Sequence, residues 1–270
     1  MVLYNGDYRV FLGRLGATPG FLLAFLMLTL LGPVGAIPRC IALSCGTLAR
    51  YDYDFSTLFL SAMGCLIIYL ATYRRSRIVG LLGTVLSPLL VLSLVAIIVK
   101  GLYMQGGAPV GNLSAFSAFT FGLSQGYNTM DLLAAFFFSG VGIASLRRSM
   151  AMHGASEKSI ARYAVLSSFI GASLLGLVYA GFVLVSARYA SVLDIASPEA
   201  LLGGIASLVL GSTGGLLISS MVILACLTTA ITLTAVFAAF LSEQVFSGRV
   251  SYHASLLLTL SVTFIFANMP

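Results

Sequence analysis

A short polar segment, Gly126-Tyr127-Asn128-Thr129-Met130-Asp131, leads directly into the apolar run Leu132–Leu146. Glycine and asparagine at this point predict a broken helix, with the break at Gly126–Asn128 and a half-helix after it. The start of a half-helix presents free amides and a positive dipole end that suit a carboxylate, and the carbonyls before the break suit a cation. The predicted chemistry is therefore non-covalent binding near the break.

Asp131 has two interpretations, and both stay open. An ionisable side chain inside an apolar span is a functional candidate, because charge is costly there. A carboxylate in the first turn of a helix also caps free amides, which is a purely structural role. The sequence predicts one of these roles for Asp131 without choosing between them.

A second segment, Gly32-Pro33-Val34-Gly35-Ala36-Ile37-Pro38-Arg39, contains two prolines and two glycines. Each proline removes an amide donor and clashes with the preceding turn, so we expect the span to bend or open at Gly32-Pro33 and at Pro38-Arg39. Arg39 then needs a carboxylate, carbonyl groups or water. The alternative is that its side chain extends to the membrane interface.

A third segment, Ala225-Cys226-Leu227-Thr228-Thr229-Ala230, contains adjacent threonines. The hydroxyls of Thr228 and Thr229, with the carbonyl of Ala225 one turn earlier, are hard oxygen ligands of the kind that small cations prefer. The alternative is that the threonine hydroxyls bond back to carbonyls of their own helix, which is common in membrane helices.

The composition requires a membrane around these segments. Of the 270 residues, 59% are hydrophobic and 8% are charged, and the mean hydropathy is +1.06. Soluble domains carry roughly 25% charged residues, so we predict an all-α polytopic protein whose partner is the lipid bilayer. The net charge of +6 does not indicate nucleic acid, because the basic residues form short clusters between apolar segments.

The sequence shows no pattern typical of a metal centre or an enzyme. Its cysteines lie in apolar stretches without CxxC or Cys/His spacing, which favours small buried side chains; they are Cys40, Cys45, Cys65 and Cys226. No nucleophile–base pair or phosphate-binding loop is recognisable. We therefore predict a protein that is not an enzyme.

Seven segments approach the roughly 20 apolar residues that a membrane helix needs, and we predict one transmembrane domain over residues 1–270. The predicted spans are Gly20–Leu48, Phe55–Tyr73, Ile78–Met104, Ser114–Leu146, Ile160–Ala187, Gly214–Leu241 and Tyr252–Asn268. Pro88 is expected to interrupt the third span. Pro198–Leu210 is too short to cross and is predicted as a short helix on the outer face.

Basic residues predict the orientation, because cytoplasmic loops are enriched in arginine and lysine. Arg74 and Arg75 follow the second span, and Arg147 and Arg148 follow the fourth. With these loops in the cytoplasm, alternation of the spans places the N-terminus in the cytoplasm and Pro270 outside.

The three segments, in this order and spacing, resemble the bacterial branched-chain amino acid–cation symporters. The resemblance covers essentially the whole chain and includes Arg147-Arg148 after the broken helix. It implies uptake of leucine, isoleucine and valine across the bacterial inner membrane, with sodium as the coupling ion and no other cofactor. It also implies an inverted-repeat, LeuT-like fold, in which the first and sixth helices are unwound at the substrate and the eighth helps to bind sodium.

The resemblance also implies residue roles. Substrate contacts would come from Gly126, Tyr127, Asn128 and Thr129. Sodium ligands would come from the Ala225 carbonyl and the hydroxyls of Thr228 and Thr229. The matching motif positions Pro38, Arg39 and Asp131 would gate, pair or shape the site.

Members of that family begin with two further helices and continue for about three more spans, so the chain is similar to the third to ninth helices of a longer transporter. We therefore expect a fragment of such a transporter, whose oligomeric state the sequence does not predict. The alternative is a non-transporting truncated remnant, or a structural or regulatory membrane subunit.

Overall fold

The computed structural model describes residues 7–49, 56–73, 77–104, 114–151, 156–189 and 198–269, and the regular structure of these residues is helical. The helices are α1 (Tyr8–Leu12), α2 (Ala17–Leu31), α3 (Ala36–Ala49), α4 (Thr57–Tyr73), α5 (Arg77–Tyr103), α6 (Ala115–Asn128), α7 (Asp131–Ala151), α8 (Glu157–Tyr189), α9 (Pro198–Phe240) and α10 (Tyr252–Ala267). A 3₁₀ turn, Gly13–Leu15, links α1 to α2, and a π turn, Leu241–Val245, follows α9.

The helices confirm the prediction of an all-α polytopic membrane protein. Four segments are long and apolar enough to cross a bilayer, namely Ala17–Leu48, Ala115–Met150, Glu157–Tyr189 and Thr213–Val245. Three shorter apolar segments are also helical, namely Thr57–Tyr73, Pro88–Tyr103 and Tyr252–Ala267. Large apolar side chains are exposed on these helices, as is expected where lipid replaces water.

The chain divides into two compact units, and the first comprises Met1–Leu31 and Gly111–Tyr179. In this unit α1 and α2 pack against each other and against α7. Aromatic side chains join α1 to α7, with ring centroids 5.0 Å apart for Tyr8 and Phe137. Gly20 allows the close packing of α2 on α1, because a Cβ at this position would lie 2.5 Å from the Leu12 carbonyl oxygen.

The second unit comprises Gly32–Val110 and Ala180–Pro270, and α9 lies at its centre. Helices α3, α4, α5 and α10 all pack against α9. The buried core contains Ile97, Val185, Tyr189, Ile205, Ala206, Val209, Ile218, Val222 and Cys226. The helix α9 is therefore the element on which the rest of this unit assembles.

The C-terminal ends of α8 and α5 pack together and are hydrogen-bonded within the second unit. A Cβ at Gly181 would lie 2.7 Å from the Ile98 side chain, so this glycine permits the two helices to approach. The Arg188 guanidinium donates to the Leu102 carbonyl at 2.7 Å, and the Tyr189 hydroxyl donates to the Gly101 carbonyl at 3.1 Å. These donors satisfy carbonyls that the last turn of a helix leaves without an intrahelical partner.

Two predicted interruptions by proline are wrong. Pro88 lies inside α5, which continues through it, because the loss of one backbone hydrogen bond is tolerated when apolar turns on both sides hold the helix. Pro38 is the third residue of α3, where a helix requires no amide donor, so it does not open the span.

The predicted short helix beginning at Pro198 is present, and it ends at Gly211, where a non-helical backbone with a φ of 80° separates it from the following span within α9. This left-handed conformation favours glycine. The outer-face position of this helix and the orientation of the chain stay predictions. Of the residues that predicted the orientation, Arg74 and Arg75 lie outside the described residues.

Candidate functional site

The helix is broken within residues 126–131, as predicted. Helix α6 continues to Asn128 and α7 begins at Asp131, so Gly126–Asn128 is helical and Thr129 and Met130 form the break. The finer prediction that Gly126–Asn128 itself is the break is therefore wrong. Met130 has a φ of 58°, a conformation that methionine rarely adopts, and this interrupts the helical backbone between α6 and α7.

Backbone and side-chain bonds of Thr129 close the end of α6. The Thr129 amide donates to the Gly126 carbonyl at 3.3 Å, and its hydroxyl donates to the same oxygen at 2.7 Å. The Met130 amide donates to the Tyr127 carbonyl at 3.2 Å. Two carbonyls that precede the break are therefore already hydrogen-bonded within the segment.

The predicted substrate residues form an exposed surface at this break. Gly126, Asn128 and Thr129 are exposed, and 79% of Tyr127 is accessible. The first intrahelical bond of α7 runs from the Ala134 amide to the Met130 carbonyl at 3.0 Å. The amides of residues 131–133 therefore precede the hydrogen-bond ladder, and they are the groups that suit an anion at a helix start.

Asp131 is the first residue of α7 and is hydrogen-bonded to a partner that the sequence did not predict. The Tyr179 hydroxyl, on α8, donates to Asp131 Oδ2 at 2.6 Å. The Thr129 hydroxyl also lies within hydrogen-bonding reach of the Tyr179 phenol. Tyr179 is a polar-tipped residue within an apolar span, which is the signal that was available in the sequence, but its separation of 48 residues from Asp131 concealed the pairing.

The segment Gly32–Gly35 separates α2 from α3 as a tight turn. The Ile37 amide donates to the Gly32 carbonyl at 3.2 Å, and the Arg39 amide donates to the Gly35 carbonyl at 3.2 Å. Ile37 and Pro38 are buried, whereas the Arg39 side chain is exposed. The helix is therefore interrupted at Gly32-Pro33 as predicted, and buried residues pack at the interruption.

The third segment lies on α9, in the second unit. The Thr228 hydroxyl donates to the Ala225 carbonyl at 2.9 Å, and the Thr228 carbonyl accepts from the Thr232 hydroxyl at 2.8 Å. Thr228 is half-buried and Thr229 is exposed. Two of the predicted cation ligands are thus adjacent oxygen atoms, and in this structure they are hydrogen-bonded to each other.

The structure brings two of the three segments into one unit. Helices α3 and α9, which carry Pro38–Arg39 and Ala225–Thr229, pack against each other in the second unit. The break at Thr129–Met130 belongs to the first unit. Among the described residues, no group of three histidine, cysteine or acidic side chains is placed to hold a metal ion.

Apolar helices long enough to cross a bilayer, one of them broken at exposed polar residues, define a multi-pass membrane protein. The chain belongs to the branched-chain amino acid transport protein family, whose model matches residues 1–270. Membership of a transport family confirms the expectation that the protein is not an enzyme.

Individual carriers are similar to this chain. The branched-chain amino acid transport system 3 carrier protein of Pseudomonas aeruginosa is 29% identical over 262 residues, which cover 94% of this chain and 58% of the carrier. A provisionally named branched-chain amino acid carrier protein of Staphylococcus saprophyticus is 29% identical over 283 residues, covering 97% of this chain and 62% of that protein. The chain thus spans about three fifths of the length of these relatives. No solved structure matches it.

Proposed function

We propose that this chain is the central part of a carrier that moves leucine, isoleucine and valine into the cell together with sodium. Family membership supports branched-chain amino acid transport, and the names of the similar carriers support the same substrate class. The observation that carries the proposal is the break between α6 and α7, where exposed polar groups surround a helix start in an otherwise apolar span. Sodium coupling and the bacterial inner membrane as its location are the finer parts of the proposal.

The amino acid carboxylate binds at the start of α7 in this proposal. The amides of residues 131–133 and the positive end of the helix dipole favour an anion there. Gly126, Tyr127, Asn128 and Thr129 border that position from the end of α6. The contact between Tyr179 and Asp131 fixes the first residue of α7, so it holds this amide group in position.

The sodium ion binds at the oxygen atoms of Ala225, Thr228 and Thr229 in this proposal. This assignment is supported by the distance of 2.9 Å between the Thr228 hydroxyl and the Ala225 carbonyl, because the two oxygens are hard ligands that lie side by side. For both oxygens to face a cation, the Thr228 hydroxyl must release its hydrogen bond to Ala225. Arg39 and Pro38, at the start of the neighbouring α3, then shape the site instead of binding the ion.

Uptake of radiolabelled leucine tests the proposed function. The complete carrier, of which this chain is the proposed central part, is expressed in bacteria that lack other carriers for branched-chain amino acids, with sodium or potassium as the external cation. We expect saturable uptake with sodium only. Equal uptake in potassium would refute sodium coupling, and no uptake in either salt would refute transport and favour a structural or regulatory membrane subunit.

Matched threonine variants test the two sites separately. Thr129→Val should raise the leucine concentration for half-maximal uptake about tenfold, the effect of a lost hydrogen bond worth roughly 1.4 kcal/mol. Thr120→Val is its control, since that hydroxyl bonds only to α6 carbonyls in the structure. Thr229→Val should raise the sodium concentration needed for half-maximal uptake. Ser220→Ala is the control and should leave this concentration unchanged, because the Ser220 hydroxyl bonds to the Leu216 carbonyl of its own helix. An unchanged sodium requirement in Thr229→Val would reject the assigned cation site.

A further inference from the structure

The Asp131 carboxylate, at the start of α7, has one oxygen without a partner among the described residues. Its Oδ2 accepts the Tyr179 hydroxyl at 2.6 Å, and its Oδ1 accepts no hydrogen bond from that part of the chain. The side chain is half-buried. None of the described amides of α7 donates to it, so the capping interpretation of Asp131 has no hydrogen bond in its support. One carboxylate oxygen is therefore available to a ligand.

This carboxylate also lacks a cationic partner, although it lies near the middle of a membrane span. The span Ala115–Met150 has 36 residues, and Asp131 lies about halfway along it. Where the structure describes the chain, the ion pair found joins Arg147 to Glu157, and no basic side chain pairs with Asp131. An unpaired charge at this depth is costly. A cationic group bound at Oδ1 is therefore stabilising.

Two other acceptors at the break are already occupied. The Gly126 carbonyl accepts from the amide and the hydroxyl of Thr129, and the Tyr127 carbonyl accepts from the Met130 amide. Asp131 is also the acidic residue of the segment Gly126–Asp131. Its open oxygen thus combines a free lone pair with negative charge, which are the two properties that an ammonium group requires of its partner.

A zwitterionic amino acid matches this arrangement better than a bare metal ion. Its ammonium nitrogen is two bonds from its carboxylate carbon, so protein groups that lie close together must meet its two charges. At the start of α7 the amides of residues 131–133 offer donors, and the Asp131 side chain offers an acceptor from the same turn. A metal ion would use the oxygen alone, and the described residues place no group of three histidine, cysteine or acidic side chains around it.

We propose that Asp131 recognises the α-ammonium group of the transported amino acid. Oδ1 accepts one ammonium N–H, and Tyr179 is a positioning residue that holds Oδ2 and so fixes the orientation of the carboxylate. This role rests on the proposed function and adds a requirement to it, namely that the substrate carries a free α-amino group beside its carboxylate. A hydroxy acid with the same side chain loses the charged contact.

Competition against radiolabelled leucine uptake by the complete carrier tests this role. The competitors are unlabelled leucine and α-hydroxyisocaproate, in which a hydroxyl replaces the ammonium group of leucine. The unaltered carrier should require at least about tenfold more hydroxy acid than leucine for half-inhibition, the effect of one charge-assisted hydrogen bond. Asp131→Asn should raise the leucine concentration for half-inhibition at least about tenfold and leave that of the hydroxy acid within about twofold.

Glu157→Gln is the matched control, because it makes the same change of acid to amide at the start of α8 and should leave the preference for leucine unchanged. An equal loss of both competitors in Asp131→Asn would mean that Asp131 only supports the helix start, and this would overturn the proposal. A raised sodium requirement with an unchanged preference would overturn it as well, because Asp131 would then bind the coupling ion.

One comparison requires no variant and so does not depend on the folding of Asp131→Asn. If leucine and α-hydroxyisocaproate compete equally in the unaltered carrier, no group of the protein recognises the ammonium, and the proposal is wrong while the transport function stands. If the unaltered carrier takes up no leucine, the proposed function itself is rejected together with this role. The two failures are therefore distinguishable.

Discussion

The two interruptions of the apolar helices are built in opposite ways. At Gly32–Gly35 the chain turns over four residues, and the groups that follow are buried, with Ile37 at 0% exposure. At Thr129–Met130 it turns over two residues between exposed polar groups, and Tyr127 is 79% accessible. The first interruption is held by packing, whereas the second is held by hydrogen bonds of Thr129 and Asp131. The polar side chains at the second interruption are accessible to a solute.

The largest expected effect is at the packed turn. Ile37→Ala should lower the free energy of unfolding by about 2–5 kcal/mol, because removal of a fully buried aliphatic side chain leaves a cavity. Tyr127→Ala, at the exposed break, should change it by less than about 0.5 kcal/mol. Denaturant titration in detergent micelles measures both values. Similar losses in the two variants would contradict the contrast between a packed and an open turn.

An intermediate effect is expected for the hydrogen bond that holds the second break. Tyr179→Phe should lower the free energy of unfolding by about 1 kcal/mol, since the Asp131 carboxylate loses its donor at 2.6 Å and the pair is partly accessible. The same titration gives the value. Tyr163→Phe, also on α8 and also exposed, is the control and should have no effect. A loss as large in the control would show that the hydroxyl of Tyr179 has no specific role.

The smallest expected effect concerns the backbone of the break. Met130→Gly should raise the free energy of unfolding by about 0.5 kcal/mol, because relief of the left-handed conformation outweighs the added flexibility of glycine. The control is Ala134→Gly inside α7, which should lower it by about 1 kcal/mol. If Met130→Gly lowered the free energy of unfolding as much as Ala134→Gly does, residue 130 would have an ordinary helical backbone.

Hydrophobicity predicted the helices well, because lipid excludes unpaired backbone groups and so forces each long apolar run to be helical. Local signals were less reliable at the breaks. Gly126 and Asn128 suggested where the helix fails, but the left-handed residue is Met130, whose type gives no such signal. Pro88 and Pro38 suggested breaks that are absent, because α5 continues through Pro88 and Pro38 lies in the first turn of α3.

Contacts between distant residues could not be predicted from a single sequence. Tyr179 and Asp131 are joined only because α8 lies beside the start of α7. Arg188 and Leu102 are joined only because the end of α8 lies beside the end of α5. The types of these residues were visible in the sequence, and their juxtaposition required the fold.

The hydrogen bonds from the end of α8 to the end of α5 form only after α8 has been synthesised, so the end of α5 lacks these donors while translation continues. Arg188 follows Leu102 by 86 residues, so at 5–20 residues per second a ribosome delivers the guanidinium about 4–17 s after the carbonyl it satisfies. During that interval water must donate hydrogen bonds to the last carbonyls of α5, because the hydrocarbon core offers no donor. We therefore expect this helix end to stay at the membrane surface until α8 is made. A nascent chain halted before Arg188 is therefore expected to be a target for membrane quality control, although α1 to α7 are already made.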